Sequence, residues 1–232
     1  MLKRTSLLAL LMVCLLSTAA VGLGNDDARK AIKRGNSRVA KEQYEEAIKE
    51  YQRVPKASGE PYATARYNIG VCYYELSRRE EALVEYKAAI EARSGRYPKA
   101  LYALGVLYED LKRLEEAEEA FQQAINTSNG TYAEAYYRLG VLAVQRGDHE
   151  KAGSFFREAI NRSKDPFPTS HNNLGVALAL RGRLSEAQRE FEIALEQTGG
   201  KYPDAQHNLA ICRSNLVSAK AEPLALTLTV LE

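Results

Sequence analysis

Tryptophan is absent from the 232 residues, and histidine and cysteine occur only three times each. Each scarcity removes a class of function. His149, His171 and His207 have no cysteine partner or carboxylate cluster at ligand spacing, whereas a metal site needs about four converging donors. No metal and no cofactor is therefore expected. Neither a G-x-S-x-G elbow, a phosphate-binding loop nor a Gly-rich dinucleotide fingerprint occurs. A nucleophile, a base and an orienting group are all lacking, so the chain is not expected to be an enzyme. Charge of one sign is scarce too: 32 Lys and Arg face 30 Asp and Glu, for a formal net charge of +2. That balance argues against nucleic acid as a ligand, since affinity for phosphate backbones rests on clustered basic residues.

Only the N-terminus carries a long uncharged run. Met1-Leu2-Lys3-Arg4 is basic, residues 7–24 carry no charge, and Ala19, Ala20, Gly22 and Gly24 precede Asn25-Asp26-Asp27. Basic, then apolar, then small is the order of a secretory signal peptide. Residues 1–24 are thus expected to direct export, with cleavage between Ala19 and Asn25. An uncleaved anchor is the alternative, because about 18 uncharged residues just span a bilayer; membrane contact is expected only in that case. Lipidation at Cys14 is a weaker reading, since Val13 stands where a small residue is needed. The periplasm or cell envelope is the expected compartment, with secretion or membrane anchoring as the other outcomes.

What the chain has in abundance is repetition. YNIG ends at Gly70, YALG at Gly105, YRLG at Gly140 and NNLG at Gly175, with Gly35 before them and Ala210 after, always 35 residues apart. Twelve residues after each glycine comes Ala47, Ala82, Ala117, Ala152 or Ala187; four further comes Tyr51, Tyr86, Phe121, Phe156 or Phe191. Three beyond those stand Val54, Ala89, Ala124, Ala159 and Ala194. Spacings of three and four in both halves of the period predict amphipathic helices. Gly and Ala let two antiparallel helices approach closely, and the aromatic is expected to fill the space between one unit and the next. Pro98 and Pro203 fall at first-turn positions, where a missing N–H costs nothing. Glu45-Glu46, Glu80-Glu81 and Glu115-Glu116 open second helices, favoured by the positive end of the helix dipole.

These columns resemble the tetratricopeptide repeat family over residues 26–218. The resemblance implies an all-α fold: an α-solenoid of five helix pairs (about 28–62, 63–97, 98–132, 133–167 and 168–202), a capping helix at 203–218 and a tail at 219–232. Three features depart from the family pattern. The period is 35 instead of the usual 34, Arg66, Leu101, Tyr136 and His171 replace the common Trp, and the first unit is degenerate at Arg34 and Arg38. Within the tail, Leu224–Leu231 either folds back on the last repeat or stays loose, as termini do unless tied down. Cys72 and Cys212 share a column four units apart, too far for a bridge that needs Cα atoms within about 7 Å. Asn126, Asn129 and Asn161 head formal glycosylation sequons.

The resemblance also implies a concave groove lined by first helices. On that geometry Tyr67, Tyr102, Tyr137, Asn172 and His207 face inward, three residues before each glycine position, with Tyr74 a turn further on. Tyrosine combines large contact area with a hydroxyl handle, which suits a recognition surface. Groove exposure is expected for Tyr67, Tyr102 and Tyr137, whereas the accompanying valines are expected mainly to fill gaps. Asn68, Asn173 and Asn208 are suited to two-pronged bonds to a peptide backbone, since an amide both donates and accepts; Arg138 shares their column. Some family members clamp a partner's terminal carboxylate. Asn36, Asn68 and Lys99 match that set, but Ile32 and Ala103 replace two of its basic residues. The expected function is a non-catalytic scaffold that holds a peptide or helix of a protein partner. The alternative is a structural envelope component that self-associates into a homo-oligomer.

Overall fold

A computed structural model of the chain describes residues 24–217 and 225–230. Most of the expected signal segment lies outside the described residues. Two compact units divide the chain, the first ending at Asp110 and the second beginning at Leu111. The first contains α1 (24–39), α2 (Tyr44–Tyr51), a 3₁₀ turn (Lys56–Ser58), α3 (Glu60–Glu75), α4 (Arg79–Ala92) and α5 (Pro98–Asp110). The second contains α6 (Leu114–Thr127), α7 (Ala133–Gln145), α8 (His149–Arg162), α9 (Pro168–Leu180), α10 (Leu184–Gln197) and α11 (Pro203–Val217). Residues 225–230 follow as extended chain. Among the described residues every regular element is helical, and within each unit consecutive helices pack on one another as a solenoid requires. In the second unit α9 also touches both α7 and α11. Those three first helices carry the candidate site.

The hairpins close by a repeated backbone device. Glu42, Ser77, Lys112, Gly147 and Gly182, each 35 residues from the last, take positive φ between the two helices of a pair. After Glu42, Ser77, Gly147 and Gly182 the next N–H reaches back five residues, as in Arg78 N to the Tyr73 carbonyl at 2.8 Å and Arg183 N to the Leu178 carbonyl at 3.0 Å. This Schellman-type closure satisfies carbonyls that a helix end would otherwise leave open.

The alanine columns are fully buried. The aromatics are too, but the place of Tyr51, Tyr86, Phe156 and Phe191 corrects the expectation: each of these rings covers the glycine of its own hairpin. A Cβ added at Gly140 would stand 2.5 Å from Phe156 Cε1, and one at Gly175 would stand 2.5 Å from Phe191 Cε1. Gly35 under Tyr51 and Gly70 under Tyr86 repeat this contact. Glycine is therefore needed for close approach, since these residues lie inside helices where alanine is otherwise favoured.

Cys72 and Cys212 are free thiols without solvent exposure. Burial pushes both up to about 11, with Glu75 adding to the shift at Cys72. The thiolate is the reactive form, so at pH 7 only about one part in ten thousand is available at either position. A thiol reagent is expected to leave both unlabelled in native protein and to modify both in denaturant. Peptide mapping by mass spectrometry reads each site separately, and rapid native labelling of either would contradict the packing.

Candidate functional site

In the second unit, α7, α9 and α11 set two columns of side chains side by side. Tyr137, Asn172 and His207 form one; Arg138, Asn173 and Asn208 form the next. The chain's own residues 225–230 lie across them. Asn173 Nδ2 donates to the Thr229 carbonyl at 2.6 Å, and Thr229 N–H donates to Asn173 Oδ1 at 2.9 Å. One repeat later, Asn208 Nδ2 donates to the Thr227 carbonyl at 2.8 Å, and Thr227 N–H donates to Asn208 Oδ1 at 2.8 Å. Each amide thus holds both polar groups of one peptide residue. In extended chain the N–H and C=O of alternate residues point the same way, and two residues advance roughly 7 Å. Packed helices lie roughly 8–10 Å apart. A modest lean of the side chains brings one asparagine per repeat to every second residue.

Asn172 links the two clamps. Its Nδ2 lies 3.1 Å from Asn173 Oδ1, 3.3 Å from the Thr227 carbonyl and 3.2 Å from Thr229 Oγ1, while its Oδ1 accepts from Asn208 at 2.9 Å. The Tyr137 hydroxyl donates to the Thr229 carbonyl and accepts from Asn173 Nδ2 at 3.1 Å. His207 Nε2 lies 3.1 Å from the Ala225 carbonyl. All three asparagines are wholly buried and all are hydrogen-bonded, as buried amides must be. Leu226 and Leu228 pack against the apolar cluster that includes Val141, Phe156, Leu174 and Val176.

Thr229 is held by its side chain as well. The Tyr202 hydroxyl donates to Thr229 Oγ1 at 2.6 Å, and Oγ1 donates to Asp204 Oδ2 at 2.8 Å. Burial pushes the Tyr202 phenol above its ordinary range.

Of the predicted residues of the second unit, Tyr137, Asn172, Asn173, His207 and Asn208 therefore converge on the extended segment, with one correction. Tyr137 has no exposure: its ring packs 5.8 Å from Phe156 and 5.4 Å from Phe167, and the extended segment covers its hydroxyl. Arg138 is buried beside it in α7. The predicted residues of the first unit are half-buried and meet protein groups. Tyr67 packs between Tyr86 and Tyr97 under the Lys99 ammonium, and Asn68 donates to Asn36 Oδ1 at 3.3 Å, where Tyr51 also donates. Asn36 and Asn68 thus bond to each other, while Lys99 stands over the Tyr67 ring. Tyr74 donates to Asp110 at 2.5 Å beneath the Arg79 guanidinium, and Tyr102 lies half-buried on α5. Sequence reasoning missed Tyr202, Asp204, Thr227 and Thr229. The signal was present: Leu226-Thr227-Leu228-Thr229-Val230 alternates with a strand's period of two in an otherwise helical chain. Among the described residues no group of three or more His, Cys, Asp or Glu side chains converges to hold a metal.

Comparison with known proteins agrees with this architecture. Family models described as tetratricopeptide repeat match residues 61–130 and 96–165, and again 168–192. The crystal structure of MamA protein is similar at 26% identity with a TM-score of 0.62, covering 76% of this chain and 94% of that one. PilF of Pseudomonas aeruginosa reaches a TM-score of 0.69 at 20% identity, over 84% of this chain and 86% of its own. YrrB, described as a TPR protein with an unusual peptide-binding site, gives 0.60 at 22% identity over 82% and 95%. No curated protein matches the chain in sequence.

Proposed function

Because the chain belongs to the tetratricopeptide repeat family, we propose that it is a non-catalytic scaffold whose second unit binds an extended segment of a partner protein across α7, α9 and α11. The observation that carries this reading is the pair of two-pronged clamps, Asn173 on residue 229 and Asn208 on residue 227. They grip main-chain groups that every peptide has, while the apolar wall and the Tyr202–Asp204 pair select side chains. YrrB, of the same fold, is described by its peptide-binding site, which favours the same use here. The basic, apolar, then small order of residues 1–24 supports work in an exported compartment, the periplasm or cell envelope.

The test uses a capped hexapeptide of the sequence 225–230 added to full chain carrying Thr227→Pro and Thr229→Pro, so that the groove is open to it. Methylating the peptide nitrogen at either threonine removes a bond to asparagine and is expected to weaken binding about tenfold or more. Methylation at the intervening leucine should be far milder. Equal sensitivity at all three positions, measured by fluorescence anisotropy, would sink the backbone clamp.

A further inference from the structure

We propose that residues 225–230 are the groove's own ligand, which a partner must displace, and that the partner able to do so is an extended segment bearing a hydroxyl side chain at the place of Thr229. This rests on the groove reading above and adds to it both a regulation and a selectivity.

Three observations carry the proposal. First, the segment is bound as a peptide would be: its two gripped residues have no backbone partner in any strand, and both N–H groups end on asparagine oxygens. Second, it is held through the side chain at one position in particular. A threonine hydroxyl has one proton and two lone pairs. At Thr229 the proton goes to Asp204, while Tyr202 and Asn172 supply the donors. The full capacity of a hydroxyl is used, so a valine of similar shape would leave a carboxylate and a phenol without their partner. Third, only seven residues separate α11 from the segment. A tether that short holds a ligand at an effective concentration on the order of millimolar. A partner making the same contacts from solution competes against that concentration.

The competition predicts a difference between two full chains. Wild type is expected to bind the capped 225–230 hexapeptide at least about tenfold more weakly than the chain with Thr227→Pro and Thr229→Pro, whose own segment lacks both N–H donors. A hexapeptide with valine in place of its second threonine should bind the proline variant about tenfold more weakly than the parent peptide. A Thr229→Val chain, in which the backbone donors remain, should fall between wild type and the proline variant. Equal peptide affinity for wild type and the proline variant overturns the self-ligand and leaves the groove reading intact. Equal affinity for the threonine and valine peptides overturns the hydroxyl selectivity. Failure of the proline variant to bind either peptide, with its helical content and melting unchanged, removes both the groove and its ligand. Sedimentation adds one more check: a wild-type dimer that the proline substitutions dissolve would place the segment in a neighbouring copy and overturn the self-ligand.

Discussion

Asn173→Ala combined with Asn208→Ala is expected to release residues 225–230 and to weaken binding of an added 225–230 peptide by about a hundredfold or more. Each substitution takes from one main-chain N–H its asparagine acceptor, and a buried polar group left unsatisfied costs about 1–3 kcal/mol. Two N–H groups are involved, while the Thr227 and Thr229 carbonyls lose one donor each and keep Asn172 and Tyr137. The segment avoids most of that penalty by leaving the groove for water, so the loss shows as undocking more than as global unfolding. Amide exchange monitored by NMR reads this directly: Thr227 and Thr229 N–H should be protected in wild type and exchange freely in the double variant. Thr227→Ala is the control, because Thr227 is gripped through its backbone and should stay protected. Unchanged protection in the double variant would mean that the asparagines do not hold the segment.

The second large effect concerns the hairpin core. Phe191→Ala should destabilise by about 3–5 kcal/mol, the usual range for emptying a fully buried aromatic site. Gly175→Ala poses a sharper question, because two effects oppose each other. Alanine gains about 1 kcal/mol of helix propensity over glycine. Its methyl, however, would stand 2.5 Å from Phe191 Cε1, and Phe191 has no exposure through which to retreat. Overpacking a core typically costs about 1–3 kcal/mol, so the clash should win. Joining Gly175→Ala to Phe191→Leu gives the methyl room, and the pair should cost less than the two single changes added together. Denaturant melts measure all four states. Strict additivity would mean that the ring and the glycine do not constrain each other.

The repeat architecture was legible because it is written in side-chain volume. Gly175, Ala187, Phe191 and Ala194 each have one size that fits, and the 35-residue period repeats those sizes. The direction in which an aromatic points is less legible: both the gap between hairpins and the glycine of its own hairpin are apolar, and spacing alone does not separate them. Asn173 and Asn208 stood out because polar amides recur beside the buried leucines Leu174 and Leu209. Tyr137 misled for the opposite reason. Its column looks solvent-facing from the helix pattern alone, whereas Phe156 and Phe167 pack its ring and a segment far away in the chain covers its hydroxyl. Tyr202 belongs to an aromatic column of its own, with Tyr62, Tyr97, Tyr132 and Phe167 at the same spacing, which reads as packing between units; Asp204 has no repeated counterpart, so periodicity carries no information about it.

The antiparallel travel of the bound segment has a further consequence. As its numbering rises from 225 to 229, its contacts step back from α11 to α9 and α7, one repeat for every two residues. The second unit is therefore a ruler whose graduations are repeats. Duplicating one hairpin within it would lengthen the measured stretch by two residues, and deleting one would shorten it by the same step.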